Sequence, residues 1–277
     1  MLNQVECLII AGGSITNSPW FTWADHAQQF LQPTRTVNLA IKGCGNKFIA
    51  LSLINHILQH RPPVGSLVMP MFTMIDKFDQ YVDADQVKQL SNEKHPPITL
   101  ESGYCKPSEA GFWSTGSHFP LAKQLYKENF YNLDWFATDT ILNIFSLQQV
   151  CTQYGLDFFP VFDSDIWNWT EEDYNKIALG ENCPTRNLLN GSLAQNFKSL
   201  ISEYTANISL IEYARKNNLP IYNSLNKLHP ASDVHWSWFQ SHILPHFENK
   251  YVLHKISRSY INKIQKFTKE WNTLVYS

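Results

Sequence analysis

The sequence predicts an α/β fold built on a mainly parallel sheet with helices on both faces. Three observations carry that expectation: short apolar runs alternate with segments of helical periodicity, the first apolar run ends abruptly in Gly12-Gly13-Ser14, and the 277 residues suffice for one full core. Residues 5–11 form the apolar run and read as a buried first strand. The apolar residues Val37, Leu39 and Ile41, two positions apart, mark strand two. Phe48, Leu51, Leu53, Ile54 and Ile57 recur at helical spacing, which predicts a helix over 47–59. Strand three covers 67–69, ahead of Pro70. A long helix is expected over 138–154, stopped by Gly155, and a fourth strand over 156–162. Residues 204–217 read as a helix leading into a short strand at 220–222, and a further apolar helix ends at Leu244-Pro245.

Two stretches break this rhythm. Residues 76–136 are polar and turn-rich yet hold Phe112, Trp113, Phe119, Tyr126, Phe130, Tyr131 and Trp135, and residues 163–203 hold Trp167 and Trp169. Both follow expected strands, so both are expected to emerge beside Ser14. Their rings suit the flat faces of a sugar, with Trp113 and Trp167 as candidate substrate-binding residues, although rings of this kind also anchor long loops to a core. Beyond 248, Ile256, Tyr260, Ile264, Phe267 and Trp271 recur at three- and four-residue steps, with Lys255, Arg258, Lys263, Lys266 and Lys269 on the other faces. This predicts an amphipathic basic helix over 249–277. It suits a partner or an anionic membrane surface, or packing against its own domain.

Composition narrows the function. A net charge of -2 argues against nucleic acid as the main partner, which needs a concentrated basic surface. No apolar run approaches the roughly 20 residues of a membrane span, and residues 5–11 are too short for a secretory signal. Cys7, Cys44, Cys105, Cys151 and Cys183 show neither a CxxC nor a metal-ligand spacing. They read as free thiols, which favours a cytoplasmic location, and no metal or organic cofactor is expected.

Ser14 lies at the carboxyl end of the first strand, where open α/β sheets bind ligands. The glycines before it allow a sharp turn that presents its hydroxyl and N–H. The same residues suit an ordinary turn or a phosphate loop, so the reading depends on a base elsewhere in the chain. The matching segment is Asn226-Lys227-Leu228-His229-Pro230-Ala231-Ser232-Asp233-Val234-His235-Trp236.

With Ser14 at the first strand, the block Asn38-Leu39-Ala40-Ile41-Lys42-Gly43-Cys44-Gly45-Asn46 in the middle and His229-Pro230 near the last helix, the chain resembles the SGNH (GDSL-like) hydrolase superfamily. The resemblance runs through most of the length as short blocks in family order. It implies a three-layer α/β/α sandwich, flavodoxin-like, with Ser14 as nucleophile, His229 as base, and the N–H groups of Ser14 and Gly43 (or Gly45) as oxyanion donors. Gly13 stands where the name-giving motif has Asp. No asparagine follows strand three, so Thr73 or Asn46 is expected to donate instead. Asn226 replaces the aspartate three residues before the base. An aspartate there orients the imidazole and stabilises its cation, and its loss costs a serine protease on the order of 10⁴ in turnover. Asp233 and His235 offer an alternative pair, since Asp-x-His-Trp-Ser resembles the last block of alginate O-acetyltransferase-like relatives. His229 is preferred because Pro230 and the following helix fit the His-Pro register. The losing histidine would then be a helix-start residue held by backbone, with Asp233 as N-cap.

These expectations amount to a catalytic domain over 1–248 with insertions at 76–136 and 163–203, followed by the helix at 249–277. The expected function is a serine esterase acting on an acylated carbohydrate or other small ester through an acyl-enzyme. An O-acyltransferase of polysaccharide biosynthesis with the same site, or a non-catalytic glycan-binding or assembly protein on the same fold, are the alternatives.

Overall fold

The computed structural model describes residues 2–73, 77–90, 99–100, 111–115, 133–164, 208–219, 221–224 and 227–276. Trp167, Trp169, Asn226, Cys105 and Cys183 fall outside them. The N-terminal half contains β1 (Cys7–Ala11), α1 (Trp23–Leu31), β2 (Arg35–Asn38), α2 (Asn46–His60), β3 (Leu67–Phe72), β4 (Phe78–Val82), α3 (Ala84–Leu90) and β5 (Gly111–Thr115). There follow α4 (Leu133–Gln153), β6 (Asp157–Phe158), β7 (Val161–Phe162), α5 (Leu210–Lys216), β8 (Ile221–Ser224) and β9 (Lys227–Pro230). Then come α6 (Ser232–Trp238), a π-helical turn (Phe239–Ile243), α7 (Leu244–Phe247) and α8 (Arg258–Tyr276).

The central sheet is parallel, in the order β2-β1-β3-β6, with β7 continuing alongside β3. The molecule is therefore of the α/β class. Side chains alternate across a strand, and here the alternation divides two cores. Cys7, Ile9 and Ala11 of β1, with Val68 and Phe72 of β3, meet Phe48, Ile49, Leu53 and Ile57 of α2 and Ile141, Ile144 and Leu147 of α4. Leu8, Ile10, Leu67, Met69 and Met71 point the other way, to Trp23, Ala27 and Leu31 of α1, Trp238, Phe239 and Ile243, and Trp271 of α8. Each large apolar side chain so enclosed contributes roughly 1.5–3 kcal/mol.

Strand β3 runs on to Phe72, past the expected stop at Pro70. A proline inside a central strand removes a ladder donor, and the partner strand explains why this one is tolerated. Val68 pairs with Phe158 and Met71 with Val161, and this common offset sets Pro70 opposite Pro160. The ladder breaks once, where both strands lack an N–H. The fourth strand is thereby split into β6 and β7, while the Phe159 N–H still reaches the Val68 carbonyl at 2.9 Å.

Helix α2 matches its expected span within one residue at each end, and α4 stops before Gly155 as its sequence indicates. Gly155 has φ +66°, and the Leu156 N–H closes the helix end on the Cys151 carbonyl at 2.9 Å. The strand expected at 220–222 is β8, which pairs with β9 in a separate antiparallel hairpin and not with the central sheet. The helix expected to end at Leu244-Pro245 continues to Phe247. Proline lacks an N–H and crowds the carbonyl four residues back; here the preceding turn widens, with the Leu244 N–H bonded to the Phe239 carbonyl.

Helix α8 turns its apolar face inward. Tyr260, Ile264 and Trp271 are buried, and Phe267 packs edge-on against Phe21 at 5.0 Å between ring centroids. The segment leading to it is tied to the sheet: Lys250 Nζ and Tyr251 Oη both reach the Asp157 carboxylate at 2.6 Å. Among the described residues no helix is long and apolar enough to cross a membrane.

Candidate active site

Strand β1 delivers its end into a tight turn. The Gly13 carbonyl accepts the N–H groups of Thr16 at 3.1 Å and Asn17 at 3.0 Å, folding the chain back beneath Ser14. A Cβ on Gly12 would collide with the Thr16 side chain and press on Met71 at 3.3 Å, so only glycine fits. Thr16 is fixed in turn by Trp23, whose indole Nε1–H donates to its Oγ1 at 3.1 Å. Ser14 emerges from this turn half-buried.

The hairpin of β8 and β9 carries His229 to the same place. His229 lies opposite Tyr222 in the antiparallel register, half-buried, and its Nε2 stands 3.2 Å from Ser14 Oγ. Two side chains separated by 215 positions thus meet at the carboxyl end of the central sheet. The separation is at the long end of a hydrogen bond, as is common for reacting pairs without substrate.

His235 is placed differently. It lies in α6 at 3% exposure, and its Nδ1 accepts the Trp23 backbone N–H at 3.2 Å. That bond requires an unprotonated nitrogen. Burial, reinforced by His26 and His229 nearby, holds its pKa well below the ordinary histidine value. Asp233 is exposed; its Oδ1 accepts the Val234 N–H at 2.9 Å, and its own N–H donates to Thr268 Oγ1 at 3.1 Å. The N-cap of α6 is Ala231, so the expectation of Asp233 as cap is corrected: it sits inside the first turn. Its carboxylate meets neither His229 nor His235 among the described residues. Trp113 lies in β5, opposite Gln80 of β4.

The expected oxyanion donors separate into two groups. Asn46 is buried, and its amide clasps the Thr73 backbone: Nδ2–H donates to the Thr73 carbonyl at 2.9 Å and Oδ1 accepts the Thr73 N–H at 2.7 Å. It therefore joins α2 to the end of β3. The Gly45 N–H donates to Asp79 Oδ1 at 2.9 Å and the Phe48 N–H to Asp79 Oδ2 at 2.8 Å. Gly45 is the N-cap of α2, so Asp79 satisfies the open N–H groups of that helix from outside it. Two of these positions correct the expectation, for the Gly45 N–H and the Asn46 amide are already bonded, as is the backbone N–H of Thr73. The Thr73 hydroxyl, itself buried, stays open as a donor, with no partner among the described residues. By contrast the backbone N–H groups of Ser14 and Gly43 meet no acceptor among the described residues. Gly43 holds φ +88°, a left-handed conformation that favours glycine.

Two neighbours of the site gave no sequence signal. Asp79 stands 31 positions beyond Phe48, and only the fold brings it to α2. Lys77 reaches the other side of the turn, where its Nζ lies 3.7 Å from a Cβ built on Gly13. Cys44 lies between them, with Sγ donating to the Gly12 carbonyl at 3.3 Å. Burial, reinforced by Asp79, pushes its thiol up to about 12, so it is no nucleophile. Among the described residues no group of three or more His, Cys, Asp or Glu side chains could hold a metal ion.

Searches with protein-family models and against curated proteins match nothing to this chain.

Proposed function

We propose that the protein is a serine esterase of SGNH type, a three-layer α/β/α sandwich that cleaves an acyl ester of a carbohydrate through an acyl-enzyme. The approach of His229 Nε2 to Ser14 Oγ at 3.2 Å, on the carboxyl end of the central strand, is the observation that carries this reading. A histidine so placed removes the serine proton as the oxygen attacks the acyl carbonyl, and returns it to the leaving alcohol. The N–H groups of Ser14 and Gly43, which meet no acceptor among the described residues, are donors available to the oxyanion, each worth about 3 kcal/mol when well aimed. The sugar assignment rests on the aromatic content of the two insertions. Transfer to a sugar hydroxyl instead of water would use the same acyl-enzyme.

The test is hydrolysis of p-nitrophenyl acetate by the intact chain and by Ser14→Ala. The variant should keep its fold by circular dichroism and lose turnover by about 10³ or more. Equal turnover in the two proteins removes the enzymatic assignment.

A further inference from the structure

We infer that Lys77 recognises a carboxylate carried on the alcohol side of the substrate's ester, which makes the acylated carbohydrate an acidic one. The inference rests on the Ser14 and His229 reading above and names the substrate that reading leaves open.

Lys77 precedes β4 and is half-buried. Its ammonium lies against Gly13, the residue directly before Ser14, at 3.7 Å from a Cβ built there. No carboxylate forms an ion pair with it among the described residues. Asp79, two positions on, has its two oxygens on the N–H groups of Gly45 and Phe48. A half-buried ammonium with no ion-pair partner among the described residues is free to pair with an anion brought by a ligand. The SGNH motif the chain resembles has an aspartate at the position of Gly13, where it would neutralise this lysine. The glycine leaves the charge open, one residue from the nucleophile. A carboxylate on the substrate is the complementary group, since it pairs with the ammonium while the neighbouring ester reaches Ser14.

The same geometry supplies a variant that closes the charge internally. Gly13 lies outside the left-handed region, and a Cβ there meets only ordinary contacts, Lys77 Nζ at 3.7 Å and the Cys44 carbonyl at 3.9 Å. Gly13→Asp therefore fits and sets a carboxylate on Lys77.

The experiment compares kcat/KM, each divided by the ester's rate of hydroxide hydrolysis, for 4-acetoxybenzoate and its methyl ester, which place or remove a charge on the alcohol side. Mono-4-nitrophenyl adipate and its methyl ester place the charge on the acyl side. Wild type should favour the charged member of the first pair, and Lys77→Gln should lower that charged-to-neutral ratio on the order of tenfold, mostly through KM. Gly13→Asp should collapse the ratio similarly, and Lys77→Arg should restore most of it. A preference confined to the adipate pair overturns the acidic-carbohydrate assignment, since the charge would then lie on the acyl group. A ratio unchanged in Lys77→Gln, or equal loss on charged and neutral esters, overturns the proposal; the second result would make Lys77 an oxyanion stabiliser. The same four esters titrated onto Ser14→Ala give the ratio as dissociation constants. A missing preference there sinks the anion site, whereas missing turnover in wild type sinks only the esterase reading.

Discussion

Two histidines six positions apart in the last block of the chain occupy opposite environments. His229 sits on a strand of the β8–β9 hairpin, half-buried, with Nε2 facing a serine hydroxyl. His235 sits on α6 inside the second core, with Nδ1 holding the N–H that opens α1. The contrast teaches that the type of residue does not mark a base. An accessible ring nitrogen facing a nucleophile can accept its proton, whereas a buried ring bonded to backbone stabilises the fold through its neutral form.

The difference is broken most sharply by alanine at each position. His229→Ala should lower p-nitrophenyl acetate turnover by about 10³ with little change in stability. His235→Ala should keep turnover per folded molecule and lose about 3 kcal/mol in urea unfolding, because it leaves a cavity and an unpaired Trp23 N–H. Exchange of these two phenotypes would reverse the assignment.

Acid sharpens the same contrast through the buried rings. His26 is enclosed by α1, α6 and α8, with Nδ1 2.8 Å from Tyr260 Oη, and burial drives its pKa down to about 3, offset in part by the Ser232 carbonyl. A histidine with a lowered folded-state pKa binds more protons unfolded than folded, so stability falls as pH drops from about 6.5 towards 3. At pH 5 the His26 share is on the order of 2 kcal/mol, and His235 acts in the same direction. Thermal unfolding between pH 7 and pH 4.5 should show a steadily falling Tm, with a shallower slope in His26→Gln. A flat profile would mean that these rings are not buried neutral.

A smaller effect is expected at Asn226, where the SGNH pattern has an orienting aspartate. Asn226→Asp should raise kcat about tenfold at constant KM, since the restored charge acts mainly in the transition state. The gain should survive in Asp233→Ala, because that carboxylate is exposed and bonded within its own helix. Loss of activity in Asp233→Ala alone would return Asp233 to the site.

The sequence was informative where one local device decides the structure, and silent where two distant segments do. The apolar run into Gly12-Gly13-Ser14, the helix spacing of α2 and the stop at Gly155 are all local, and each was readable. Strand β3 beyond Pro70 was not, because a proline in a central strand reads as a break until Pro160 is known to lie opposite it. The β8–β9 hairpin was missed because Leu225-Asn226 between its strands carries no glycine. At the site, block order pointed to Ser14, His229 and Gly43. It also suggested Gly45, Asn46 and Thr73, whose N–H groups are bonded to Asp79 and to one another in the fold.

The pairing of Ser14 with His229 is tested most directly by labelling the intact chain with a fluorophosphonate and locating the adduct by peptide mass spectrometry. The label should fall on Ser14, persist in His235→Ala at equal folded fraction, and drop by about 10² or more in rate in His229→Ala, where no base removes the serine proton. A label on another serine, none at all, or loss confined to His235→Ala would contradict it.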